Sequence, residues 1–151
     1  LSAFADTSLL CALYRSQADS PAADRLMRRE SGPVHVSSLV LFEFRHSVRL
    51  QAFRLSKDRT RGYSKLEAGR MLEILAANLR SGGLRIPPVE DWAAVYRVAE
   101  ALSAQHTVKG GCRSLDVLHV ATAVYLKSDR FLTFDVGQAQ LAKAAGLMVR
   151  P

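Results

Sequence analysis

Four acids stand where a fold could gather carboxylates to do chemistry. Asp6 follows a short apolar stretch, SAFA at residues 2–5. Glu43 lies inside LVLFEF, between Phe42 and Phe44. Asp116 and Asp135 bound the segment DVLHVATAVYLKSDRFLTFD. Carboxylates at close range repel, and each raises the others' pKa unless a cation sits among them. A donor set of oxygens alone, without His or Cys, favours hard Mg²⁺ or Mn²⁺. Such an ion, or a pair about 4 Å apart, can turn a bound water into a nucleophile and stabilise the leaving oxygen of a phosphodiester.

Each acid also has an ordinary explanation. Asp6 can cap a first helix, and Asp135 can cap a last one, where Asp135-Val-Gly-Gln138 resembles a capping box. Asp116 can be a favourable charge in a first helical turn. Glu43 is harder to explain locally. Its neighbours should pack on a sheet, and an unpaired carboxylate there costs several kcal/mol. Its ordinary partner would be Arg45, Arg49 or another Arg; a shared metal would account for all four acids together. The hydroxyls of Thr7, Ser8 and Thr133 can bind metal-bound water or a phosphate, or act as plain capping and strand residues.

The elements that must position these groups alternate between strand and helix, which predicts an α/β fold with a mainly parallel sheet. Strands are expected at 2–5, 34–37, 84–86, 131–134 and 147–149. Helices are expected at 7–15, from Ser20-Pro21 to about Glu30, and from Ser37 or Ser38 to about Leu55. Further helices are expected at 65–80, from Asp91 to about Gln105, at 115–126 and at 136–145. HTVKGG at 106–111 reads as a mobile loop with two adjacent glycines. In a parallel sheet, the strand C-termini and the following helix N-termini share one edge, where ligands of open α/β sheets bind. Asp6, Glu43 and Asp135 should meet there, joined by Asp116 if its helix starts at that edge.

The chain has 151 residues, enough for one domain (residues 1–151) with a sizeable core. Its apolar share of 48% fits a globular protein. No apolar run approaches the roughly 20 residues of a membrane span. The opening LSAFADTSLL has no basic flank and does not read as a secretory signal. The two cysteines, Cys11 and Cys112, form no CxxC pair, and the four histidines make no zinc spacing, so a cytoplasmic setting is expected.

The segments that carry the acids resemble the PIN domain, a metal-dependent ribonuclease fold, and within it the VapC-type toxins of toxin–antitoxin pairs. ADTSLL at 5–10 resembles the family's first strand and first aspartate. VSSLVLFEF at 36–44 resembles its second strand and glutamate. RSLDVLHVATAV at 113–124 is similar to its most distinctive segment, and FLTFD at 131–135 to its fourth strand and last acid. The resemblance runs from about Ala3 to Val149. It implies a three-layer α/β/α domain with about five short strands. It also implies a Mg²⁺- or Mn²⁺-dependent endoribonuclease that leaves 5′-phosphate and 3′-hydroxyl ends. Asp6, Glu43, Asp116 and Asp135 would form its catalytic and metal-binding pocket. Asp6 and Asp116 would hold the principal ion, Glu43 would complete the site and orient water, and Asp135 would support a second ion or a water ligand. A cognate antitoxin laying its C-terminal segment across the groove, and a homodimer, are implied as partners.

Charge agrees with a polyanionic substrate. Net charge is +7, from 21 Lys and Arg against 14 Asp and Glu. Eight basic residues fall between Arg45 and Arg70, against Asp58 and Glu67. A basic flank beside an acidic pocket suits a nucleic acid, although a solvated helix face explains any one of these residues equally well. Arg113, three positions before Asp116, can reach the scissile phosphate or pair with a pocket acid. Thr7, Arg113 and Thr133 are therefore the expected substrate contacts. Aromatic residues make up 7% and are not interleaved with the basic ones along the chain, which points away from a stacking platform and toward a structured RNA read by shape. Two other readings compete. A catalytically silent PIN-like module would gain nothing from four clustered acids. A phosphotransfer receiver or a haloacid-dehalogenase-like phosphatase would want a second acid beside the first, where this chain has Asp6-Thr7-Ser8.

Overall fold

The computed structural model describes residues 2–150. Five strands form one sheet: β1 (Ala3–Ala5), β2 (Val34–His35), β3 (Leu84–Arg85), β4 (Arg130–Leu132) and β5 (Met148–Arg150). Their order is β3-β2-β1-β4-β5, and every pairing is parallel. Parallel strands are covered on both faces and read as unbroken apolar runs. β1 obeys this, and β4 is also buried at every position although it opens on Arg130, which pairs with Glu30 at 2.6 Å. Phe4 pairs with Phe131 in register, and their rings stack at 5.8 Å.

The chain leaves β1 on one side to build β2 and β3, and on the other to build β4 and β5. The seam between β1 and β4 is thus the switch point of the sheet, where a crevice opens beyond the strand ends. Asp6 sits at that seam, its backbone N–H donating to the Leu132 carbonyl at 3.3 Å.

Seven helices connect the strands in three layers with the sheet: α1 (Thr7–Tyr14), α2 (Ser20–Arg29), α3 (Ser38–Lys57), α4 (Lys65–Ser81), α5 (Trp92–Gly110), α6 (Ser114–Tyr125) and α7 (Val136–Ala144). α1 packs against α2, α3 and α4, while α6 packs between α5 and α7. α6 is the most enclosed helix, with Val117, Val120, Ala121 and Ala123 buried alongside Asp116, His119 and Thr122.

Ser37 caps α3 as expected and accepts from the Val40 N–H; Ser64, not read from the sequence, caps α4 in the same way. Ser20 does not cap α2; Asp19 holds that place without a side-chain bond, while the Ser20 hydroxyl donates to the Arg15 carbonyl. Of the apolar residues on α4, Met71 and Leu75 are buried, Leu72 is half-buried and Leu66 is exposed.

The expected loop at 106–111 is the main difference. α5 runs through it and stops only at Gly111, the left-handed C-cap at φ 61°. His106, Thr107, Val108 and Lys109 each tolerate a helix, and a lone Gly110 in its last turn costs only about 1 kcal/mol. The positive φ falls on the second glycine, so the helix ends one step before Cys112 rather than five residues earlier.

Candidate active site

Each acid reaches the sheet edge on a different element. Asp6 is the residue between β1 and α1. It is fully buried, and its Oδ1 caps α1 by accepting from the Leu9 N–H at 3.0 Å. The same oxygen accepts from the Ser8 hydroxyl at 2.7 Å, and Oδ2 accepts from the Thr133 hydroxyl. Burial nevertheless pushes its pKa above the usual carboxylate value, with these hydrogen bonds pulling it partly back. Capping alone does not require this burial, since an exposed Asp caps a helix more cheaply.

Glu43 lies in the second turn of α3 and points toward α1 and α6. Neither Arg45 nor Arg49 pairs with it. Oε2 accepts from the Thr7 hydroxyl and lies 2.6 Å from His119 Nε2. The His119 bond, with Thr7 and nearby Arg113 adding to it, holds the Glu43 carboxyl below its usual range against the opposing effect of burial. The ionised carboxylate is an acceptor, so His119 donates through Nε2 and its Nδ1 is left buried without a partner.

Asp116 stands in the first turn of α6, almost buried, as placing it at that edge requires. Arg113, the N-cap of α6, donates through Nε to Asp116 Oδ2 at 2.7 Å and through Nη2 to Asp135 Oδ2 at 3.1 Å. Asp135 also caps α7, accepting from the Gln138 N–H at 2.8 Å. The capping box is only half made, since Gln138 Oε1 is buried without a partner. Arg113, Asp116 and Asp135 line a cavity of about 150 Å³ together with Gly110 to Cys112.

Arg113 and His119 tie the acids into one neighbourhood. Arg113 feels Asp116 first, then Asp135 and Glu43. His119 hydrogen-bonds Glu43 and also lowers the pKa of Asp6 through space. Among the described residues no three His, Cys, Asp or Glu side chains stand close enough to form a ready-made metal cage. Arg113 supplies the reason at one end, because its guanidinium occupies the position between Asp116 and Asp135. By donor chemistry the four carboxylates suit a hard divalent cation, and Asp6 lacks a full positive partner in direct contact.

Thr7 and Thr133, read from the sequence as substrate contacts, hold acids here: Thr7 holds Glu43 and Thr133 holds Asp6. Ser8 does the same for Asp6 while accepting from the Phe134 N–H. His119 escaped the sequence reading, which sought zinc spacing. Its signal was a lone polar ring inside the apolar run VLHVATAV, three residues after Asp116 and so on the same helical face.

The PIN domain family matches this chain over residues 3–144, a span that includes all four acids. The chain belongs to the PIN domain family. Among solved structures, this PIN domain is similar to Mycobacterium tuberculosis VapC20, described as a Sarcin-Ricin loop cleaving toxin. The TM-score is 0.66 at 24% identity, covering 99% of this chain and 100% of that one. VapBC2 from Rickettsia felis, bound to a DNA fragment from its promoter, gives 0.65 at 14% identity over 99% and 98% of the two chains. FitAcB from Neisseria gonorrhoeae gives 0.64 at 18% identity over 99% and 96%. These likenesses establish a shared fold. No curated protein matches in sequence. Among the described residues no helix is long and apolar enough to cross a membrane.

Proposed function

We propose that this PIN domain is a divalent-metal-dependent endoribonuclease and the toxin of a toxin–antitoxin pair. The observation that carries the reading is Asp6, a carboxylate buried at the switch point of the sheet and held by two hydroxyls and a helix N-terminus. A PIN fold with no catalytic task has no use for that cost.

Asp6 and Asp116 would hold the principal Mg²⁺ or Mn²⁺, with Glu43 completing the set and Asp135 supporting it directly or through water. When bound, the ion would activate a water and stabilise the leaving oxygen of the cleaved phosphodiester. This chain's own residues do the rest. Thr133 and Ser8 fix both oxygens of Asp6. Thr7 and His119 bind one oxygen of Glu43 and leave the other free to face the pocket and orient a water. Arg113, largely exposed, is free to swing from Asp116 and Asp135 to a substrate phosphate, which a planar guanidinium grips in a bidentate manner.

The similar solved structures named for VapBC and FitAB pairs support an antitoxin partner. In this proposal the antitoxin covers the groove and the chain works as a homodimer. The net charge of +7 favours a nucleic-acid substrate, and the free Cys11 and Cys112 favour a reducing, cytoplasmic site of action. The testing experiment expresses the protein and its Asp116→Asn variant in cells and maps new RNA 5′ ends. Discrete ends carrying a 5′-phosphate should appear with the parent only. Identical maps from both would refute the reading.

A further inference from the structure

α5 and α7 both pack on α6, and a groove of about 220 Å³ is left between the last turns of α5 and the body of α7. Its floor is apolar, with the buried Leu141 beside Ala144. Its rim is polar: Gln105, His106 and Lys109 come from α5 and Gln140 from α7. None of these four side chains makes a hydrogen bond or an ion pair among the described residues, so their donors and acceptors are free for a ligand. Gly110, Cys112, Gly137 and Leu141 wall this groove and also the cavity that holds Arg113, Asp116 and Asp135, so the two spaces adjoin. Two of those shared walls are glycine. A Cβ at Gly137 would come 3.2 Å from Asp135 Oδ1, and one at Gly110 would meet Cys112 Sγ at 3.6 Å. Bare backbone at both places keeps the way between the two spaces open.

We infer that the groove between α5 and α7 is a base-reading subsite, which takes the nucleobase next to the phosphate held at Arg113 and Asp116. It rests on the reading of the chain as a ribonuclease and adds a place that selects which bond is cut. A nucleobase has apolar faces and a polar edge. Leu141 and Ala144 suit the faces. The amides of Gln105 and Gln140, which donate and accept, and the Lys109 ammonium, which only donates, suit the edge. A phosphate alone would leave the apolar floor unused. A wholly apolar ligand would strip water from Lys109 and replace it with nothing. The site exists only because α5 continues to Gly110. Gln105 and His106 lie four and three residues before Lys109, so the continued helix sets all three on one side. On α7 the positions 137, 140, 141 and 144 share a face by the same spacing.

The test titrates the protein with fluorescent RNA pentanucleotides that differ by one base at a time. It is done in EDTA with RNA integrity checked, so that it does not depend on cleavage. The parent should prefer one base at one position by about tenfold or more. Gln140→Leu and Lys109→Met should each bring that preference within about threefold and leave the other positions unchanged. Gly110→Ala, which places a methyl in the passage at ordinary contact distance, should weaken binding of the preferred base in the same way. Thermal unfolding of each variant checks that the fold is kept; Lys109 and Gln140 are exposed, so both should match the parent. Three results would overturn the inference: no base preference in the parent, a preference untouched by Gln140→Leu and Lys109→Met, or a loss equal for every base, as a plain phosphate contact gives. Failure of the ribonuclease reading shows separately, as a base preference that is present while the RNA stays intact in Mn²⁺.

Discussion

His119 Nε2 lies 2.6 Å from Glu43 Oε2, and the Thr7 hydroxyl donates to the same oxygen. Two elements therefore fix one carboxylate, α6 through a buried ring and α1 through a hydroxyl. The second oxygen of Glu43 makes no hydrogen bond to the described residues. His119 is a positioning residue in this arrangement. His119→Ala should lower kcat for RNA cleavage about ten- to a hundredfold, the worth of a hydrogen bond to a charged group. KM should stay within about twofold, since the ring is buried and cannot touch RNA. Steady-state kinetics on a defined RNA checks the split. A change in KM alone would remove His119 from the site's architecture.

Asp6 should show opposed effects on stability and activity. Its folded pKa is raised, chiefly by burial. A raised group contributes stability that is fully present below its unfolded value of 3.8 and lost as pH rises through the folded value. At neutral pH without metal the ionised form is therefore a cost. Asp6→Asn keeps the cap and removes the charge. It should raise the melting temperature in EDTA by a few degrees. It should also abolish the rise that Mn²⁺ gives the parent. Differential scanning calorimetry with and without Mn²⁺ measures both.

Glu43 carries the opposite sign. Its folded pKa is lowered, first by the His119 bond. Its contribution is complete above the unfolded value of 4.5 and is lost as pH falls through the folded value. Acid unfolding followed downward from pH 5 should therefore be shallower for Glu43→Gln than for the parent. Parallel curves would mean that the carboxylate gains nothing from His119 and Thr7.

Arg113 competes with any cation for Asp116 and Asp135. Arg113→Gln should tighten Mn²⁺ binding several-fold in a calorimetric titration while slowing RNA cleavage. Its side chain is 73% exposed, so the loss of folding stability should stay under about 1 kcal/mol. Weaker metal binding in the variant would show that the guanidinium supports the site instead of occupying it.

The turn after α3 depends on one glycine. Gly62 has φ +69°, and a Cβ there would sit 2.0 Å from the Gln51 carbonyl oxygen. Gly62→Ala should cost about 2 kcal/mol or more, seen as a melting temperature lower by several degrees. The basic turn at 58–64 would then no longer lie against α3.

Most of the fold was legible because its signals are local. The apolar strands and the cap at Ser37 each act within one turn of chain. What failed was the end of α5, expected near Gln105 with a loop at 106–111: HTVK carries no helix breaker, and the helix runs on to Gly110 before Gly111 stops it. In the candidate site, the addresses of Asp6, Glu43, Asp116 and Asp135 followed from parallel-sheet topology. Their partners did not. That Thr133 reaches Asp6 across the β1–β4 seam, or that His119 reaches Glu43 from α6, depends on three-dimensional juxtapositions that no periodicity encodes. Arg113 was read as a phosphate contact or an acid's partner, and in the structure it pairs with two acids.

The central claim is that these carboxylates bind a metal to cut RNA. Its most direct test incubates purified protein with RNA in Mn²⁺ and in EDTA, beside Asp6→Asn and Asp116→Asn. Cleavage should occur with Mn²⁺, stop in EDTA, and fall at least about a hundredfold in each variant while the fold persists. Cleavage that continues in EDTA, or full activity in either variant, would contradict it.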